Sequence, residues 1–248
     1  MEMSYEFFER FYQACVSFFD WIKRFGMIEK VVQFLVCPQV DFIGRLDHGQ
    51  DLPNALHVGH EACAKLRGTS NERDPFVETV SKFFDDSTPG SEKLQVILDE
   101  DWHSKSCAEF EVFGEHCVKG TRGAALPSGV EKFRYHPRCE FIHANSINIA
   151  SDSRFAEVME ETCGRTKPQS IRAGVIGVWT HVKVEYLMVS LNTIAPCLAW
   201  DNIGVCEPLC ASPEQTDHDQ AIKKFKAYGA QVYYDCDTYC RDWLQLDG

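Results

Sequence analysis

The chain has 248 residues, 44% of them hydrophobic, enough to bury a sizeable core as one large domain, and this excludes a disordered chain. Its 37 acidic residues outnumber 25 basic ones, for a formal net charge of −12. That balance argues against nucleic-acid and anionic-membrane surfaces and disfavours acidic substrates, because phosphate binding runs on Lys and Arg.

Residues 4–25, "SYEFFERFYQACVSFFDWIKRF", place Phe8, Phe11, Cys15, Phe18, Phe19, Ile22 and Phe25 at helical spacing. The run predicts an amphipathic helix that either covers its own core or crosses to a second copy of the chain. Glu6, Glu9, Asp20 and Lys23 interrupt it, so neither a membrane span nor a signal peptide is expected, and the expected compartment is the cytoplasm.

Strand-length apolar runs follow at 31–37, 93–99, 139–144, 171–179, 202–208 and 230–235. Helical stretches lie between most of them, at 56–67, 74–84, 152–164, 182–195 and 217–229. Near-continuous apolar strands alternating with amphipathic helices predict an α/β fold. Its expected core is a doubly wound, Rossmann-like sheet of about six mainly parallel strands with helices on both faces. The expected division is a helical extension over 1–28 and one domain over 29–248, with sites outside the carboxyl ends of the strands. The only linker-like segment is "DDSTPGSE", residues 85–92.

Twelve cysteines need a chemical assignment. Most are scattered singly, and the two close pairs, Cys206/Cys210 and Cys236/Cys240, have x3 rather than the x2 spacing of a zinc ribbon. Buried, reduced thiols acting as small hydrophobes are expected.

Asp101 and His103 stand directly after the second predicted strand, with Glu109 and His116 on the loop that follows. A carboxylate, two imidazoles and a second carboxylate in reach form an oxygen/nitrogen set suited to zinc, iron or manganese, with solvent completing the shell. Spacing alone also fits an ordinary polar loop. His136, His143 and His181 lie near predicted strand ends but are isolated. "GTRGA" (120–124) is a tight turn without the frame of a phosphate loop.

The "DWH" run continued by "FGEHCVKGTRGAALP" resembles the nicotinamidases of the isochorismatase-like cysteine hydrolases. "FLVCPQVDF" (34–42) is similar to that family's first strand, and "GVIGVWTHVKVEYL" (174–187) to its nucleophile strand and helix. The resemblance spans roughly residues 30–235 and implies the same doubly wound fold. It implies a divalent metal, zinc first with iron or manganese as alternatives, on Asp101, His103, His116 and Glu109. It also implies aromatic pocket walls at Phe42 and Phe113, and a small-molecule ligand between them. Gln39 and Asp41, from the same "QVDF" run, are expected in the pocket, Asp41 as a carboxylate that orients its neighbours. Trp179 is expected to narrow the pocket.

The family hydrolyses amides through a thioester, using an aspartate, a lysine and a cysteine as one unit. Here the aspartate position holds Cys37, the cysteine position holds Lys183, and the lysine position falls on Ala144, within one residue of His143 and Asn145. Loss of all three removes nucleophile, base and electrostatic support together. The expectation is a metal- or ligand-binding pseudoenzyme without nicotinamidase activity. One alternative is a hydrolase or lyase with altered machinery, in which an ammonium on Lys183 activates a Cys37 thiolate for a small amide-like substrate. Against that pairing stands a Lys183 that pairs with Asp41 or Glu185, or reaches solvent. Another alternative is a structural subunit of a homo-oligomer assembled through the N-terminal helix.

Overall fold

The computed structural model describes residues 28–46, 49–69, 71–164, 166–194 and 197–246. The helix expected over 4–25 lies outside these residues. Six strands form one sheet: β1 (Lys30–Val36), β2 (Leu94–Asp101), β3 (Cys139–Ala144), β4 (Ile171–Val178), β5 (Ile203–Ala211) and β6 (Gln231–Tyr233). Their order is β3-β2-β1-β4-β5-β6, and every neighbouring pair is parallel. The chain therefore reverses its winding between β1 and β4, and doubly wound sheets open a crevice at that point, outside the carboxyl ends of the strands.

The strands are apolar because both faces are covered: all eight residues of β4 are buried, as are the last six of β1. Five helices of eight residues or more supply most of the cover. They are α1 (His60–Arg67), α2 (Pro75–Phe83), α3 (Ser153–Cys163), α4 (Glu185–Thr193) and α5 (Gln215–Tyr228). Local chemistry sets their starts. The Asp74 side chain accepts the Val77 N–H ahead of α2, which begins on Pro75, and Asp152 does the same for Arg154 ahead of α3. Among the described residues, no helix is long and apolar enough to cross a membrane.

Two boundaries differ from expectation in ways that matter. β2 runs on to Asp101, carrying three consecutive buried carboxylates instead of ending at Asp99. The helix expected from residue 182 begins instead as a π-turn over Thr180–Val184, directly after β4, and becomes α-helical at Glu185.

The C-terminal turns pack across the middle of the sheet, where two glycines leave room. A Cβ on Gly174 would meet the Tyr239 hydroxyl at 2.2 Å and Gln33 Oε1 at 2.4 Å; one on Gly204 would meet the Trp243 ring at 2.3 Å. The Tyr239 hydroxyl donates to Gln33 Oε1 at 2.5 Å, satisfying the buried amide in mid-β1. Gly174→Ala is expected to destabilise the protein by about 1–3 kcal/mol through overpacking, read as a lower urea midpoint.

Candidate metal centre

β2 delivers three acids to the crevice, and strand alternation separates them. Asp99 and Asp101 share one face, while Glu100 points to the other, where Arg134 (2.8 Å) and His143 (3.2 Å) pair with it. His103 follows in an isolated parallel bridge with Val118, its N–H bonded to the Cys117 carbonyl at 3.1 Å. This bridge folds the loop back and sets His116 beside His103.

Asp101, His103 and His116 converge, all fully buried or nearly so. The two Nε2 atoms each stand 3.6 Å from Asp101 Oδ2. All three atoms lack a hydrogen-bond partner. Buried polar atoms rarely stay unpartnered, and three aimed at one point are the mark of a cation site. Ligands about 2.0–2.2 Å from a tetrahedral zinc stand roughly 3.3–3.6 Å apart, so the spacing fits. The ring tautomer fits too: His116 Nδ1 donates to the Gly114 carbonyl at 2.8 Å, which leaves Nε2 as the lone-pair nitrogen.

The fourth expected ligand, Glu109, lies with His103 and Cys107 in an adjoining group. Cys107 Sγ is 3.5 Å from His103 Nδ1 and contacts the ring nitrogen that faces away from Asp101. Sequence reading missed Cys107, although its offset of four from His103 was a usable signal.

The triad-equivalent positions are all near Asp101, but they form a different network. Lys183, swung inward by the π-turn, pairs through Nζ with Asp101 Oδ1. Cys37, in a left-handed conformation just past β1, donates its thiol to the same oxygen at 3.7 Å. Ala144 is the register partner of Asp101 at the end of β3; it offers the site only a methyl and a carbonyl that accepts from Trp102 N.

Charge follows from this network. Burial opposes ionisation of Asp101, yet Lys183, His103 and His116 together hold its carboxyl well below the ordinary aspartate value. Burial likewise opposes the Lys183 charge, and Asp101 outweighs it, so the ammonium is held above its usual range. Asp99, with burial as the main cause, is pushed up to about 8 and is neutral in large part at pH 7.

The alternative of a Cys37 thiolate activated by Lys183 runs against this environment. Burial first, then the Asp101 charge, pushes this thiol well above its ordinary value, although Lys183 pulls the other way. Lys183 pairs with neither Asp41 nor Glu185; the latter takes Lys224 at 2.6 Å.

Beside the metal-facing atoms lies a cavity of about 180 Å³ whose walls are mainly apolar. Phe42, Phe113, Trp179, Lys183, Glu109 and His116 line it, with Leu56, Ile147, Val182 and Tyr186, which sequence reading did not single out. Phe42 packs edge-on to His116 at 5.8 Å, and the Lys183 ammonium lies 5.6 Å from the centre of the Phe42 ring. Trp179 does not fill the space. Its indole N–H is bonded to the Leu56 carbonyl at 2.8 Å and its ring stacks on His181, so it forms a wall.

Gln39 and Asp41 are not among the residues that line this cavity. The Gln39 amide clamps the Asp101 backbone on both sides, accepting from its N–H at 2.8 Å and donating to its carbonyl at 2.7 Å. Asp41 Oδ2 accepts the Cys117 N–H at 2.7 Å, which fixes the residue after His116. A Cβ on Gly123 would meet that Asp41 oxygen at 2.0 Å, so the "GTRGA" turn is shaped around a carboxylate of its own chain. Of the isolated histidines, His136 pairs with Asp86 at 3.5 Å and His143 stacks on Trp102 at 4.4 Å.

No protein-family model matches the chain, and no curated protein matches it. Solved structures do. A nicotinamidase/pyrazinamidase from Bacillus subtilis aligns with a TM-score of 0.63 at 18% identity, over 82% of this chain and 99% of that one. A pyrazinamidase from Pyrococcus horikoshii in complex with zinc aligns at 0.55 and 16%, over 82% and 98%. An N-carbamoylsarcosine amidase from Thermoplasma acidophilum aligns at 0.55 and 17%, over 82% and 95%. The chain thus has the α/β fold of the nicotinamidases and their isochorismatase-like neighbours, over nearly their whole length.

Proposed function

We propose that this chain is a nicotinamidase-like member of the isochorismatase superfamily that binds a divalent metal and a small planar ligand but does not cleave amides by thiol chemistry. Zinc is the first candidate, with iron or manganese next. Asp101, His103 and His116 would hold the ion, with Glu109 or solvent completing the shell. A bound divalent ion supplies Lewis acidity toward a ligand oxygen or ring nitrogen. The chain's own residues hold and orient: Phe42 and Phe113 flank a flat ring, Trp179 closes one side, and the Lys183 ammonium is in reach of a ligand acceptor.

The observation that carries this reading is the Lys183–Asp101 ion pair. It puts a protonated ammonium where the family places its nucleophile, while the thiol at the family's aspartate position, Cys37, is buried and donates a hydrogen bond to the same carboxylate. A nucleophile needs the deprotonated form, and neither group is in it.

Zinc-loaded protein titrated with nicotinamide should show saturable quenching of tryptophan fluorescence. Trp179→Phe should remove most of the signal, and Phe42→Ala should weaken binding. Absence of saturable binding to the metal-loaded protein would defeat the ligand-binding part. Assembly as a homo-oligomer belongs to the same proposal, and the solution mass of the full chain measures it.

A further inference from the structure

The two x3-spaced cysteine pairs lie apart from the metal-side pocket, yet the fold joins them. Cys206 is buried in mid-β5, paired in register with Tyr233 of β6. Cys236 opens the helical turn Cys236–Thr238 that follows β6, and the chain returns there over β5. Thirty residues apart in sequence, the two sulfurs stand 3.9 Å from each other, with the Cys206 thiol donating to Cys236.

A disulfide needs an S–S distance of about 2.05 Å, so the sulfurs have roughly 2 Å to close. The means of closing is uneven between the partners. Cys206 is fixed inside the sheet, whereas Cys236 is half-buried between exposed Asp235 and Asp237, on a turn at the surface. Cys236, the less buried of the two, is the one open to a small oxidant.

We propose that Cys236 and Cys206 form a reversible redox site for hydroperoxides, with Cys236 as the sulfur that is oxidised first and Cys206 as the sulfur that resolves it. The Cys236 thiolate attacks one peroxide oxygen; the O–O bond breaks, and the second oxygen leaves, with a proton, as water. Cys236 is then a sulfenic acid. Cys206 sulfur attacks the sulfenic sulfur; the S–S bond forms, the S–O bond breaks, and hydroxide leaves with the Cys206 proton as a second water. Two thiols lose two electrons and two protons, and one hydrogen peroxide becomes two waters.

The surroundings support this division of roles. The hydrogen bond from Cys206, with a smaller contribution from Thr79, lowers the pKa of the Cys236 thiol against burial, and the same bond, with burial, raises that of Cys206. Lys82, paired with Asp237 at 2.5 Å, places an ammonium beside this turn.

The test uses the full chain, treated with one equivalent of hydrogen peroxide, alkylated and digested without reductant. The expected result is a Cys206–Cys236 linked peptide and two fewer alkylatable thiols, both reversed by dithiothreitol. Cys206→Ala should accumulate a Cys236 sulfenic acid that dimedone traps. Cys236→Ser, at the half-buried position, should leave Cys206 a free thiol, and circular dichroism should confirm that both variants fold. The proposal is overturned if exposed Cys197 is oxidised while Cys236 stays reduced. It is equally overturned if Cys206 links to another cysteine, or if Cys236→Ser still loses two thiols as the wild type does.

Discussion

Replacing Lys183 with methionine is expected to cost the metal-free protein about 3–5 kcal/mol of stability, because the substitution leaves the fully buried Asp101 carboxylate without its cation. Removing both charges together should recover most of that loss. Asp101→Leu in the Lys183→Met background would be nearly as stable as the wild type, since a buried pair replaced by apolar groups is close to neutral. Urea denaturation of the four proteins in the presence of EDTA measures the coupling.

The pH dependence of this contribution has a definite sign. Asp101 is held below its ordinary value in the fold, so its stabilisation is complete above the ordinary aspartate range and is lost as pH falls toward the depressed value. Lys183 is held above its ordinary value, so its share is complete below the ordinary lysine range and is lost as pH rises through the raised one. The wild type should therefore exceed Lys183→Met most clearly between about pH 4 and pH 10, and the two should converge toward the acid side.

The second large effect concerns metal affinity. Asp101→Asn removes the charged ligand and leaves the Lys183 ammonium facing the two imidazoles, so divalent metal binding should be lost. Lys183→Met should act in the opposite direction. It removes a positive charge from the carboxylate whose other oxygen faces His103 and His116, and a charged hydrogen bond of this kind is worth about 1.5–3 kcal/mol, or roughly 10- to 100-fold in affinity. Zinc competition against a chromophoric chelator reads both variants. Equal affinity in wild type and Lys183→Met would show that the ammonium does not weigh on the site. Added zinc should also restore much of the stability that Lys183→Met loses, because binding to the folded state alone shifts unfolding by mass action.

Much of this fold is legible in the sequence. Fully buried strands announce themselves as apolar runs, so the parallel sheet and its helices were readable from periodicity, whereas the spacing of Asp101, His103 and His116 fitted a polar loop equally and it was the resemblance of the surrounding run that singled them out. The partner of Lys183 was not readable. Asp101 lies 82 residues away, and the π-turn over Thr180–Val184, which turns the lysine toward it, leaves no mark in a helical hydrophobic pattern. Gln39 and Asp41 misled for a similar reason. They adjoin Phe42 in sequence, but the single helical turn Val40–Ile43 sends neighbouring side chains in different directions, one to clamp β2 and another to hold Cys117. The extension of β2 through "DED" carries the strand two residues past the apolar run that ended at Asp99. It is tolerated because Lys183 and Arg134 each meet one of these charges and Asp99 stays largely protonated. The packing of Tyr239 and Trp243 over Gly174 and Gly204 joins segments far apart in sequence, which no local pattern reports.

The central claim is that this pocket binds without cutting, because a lysine tied to Asp101 stands in place of a nucleophile. Ammonia release from nicotinamide by the zinc-loaded wild type tests it most directly, with Lys183→Met as the control. The structure predicts a flat trace for both proteins, indistinguishable from buffer. Ammonia released by the wild type and lost in Lys183→Met would contradict it.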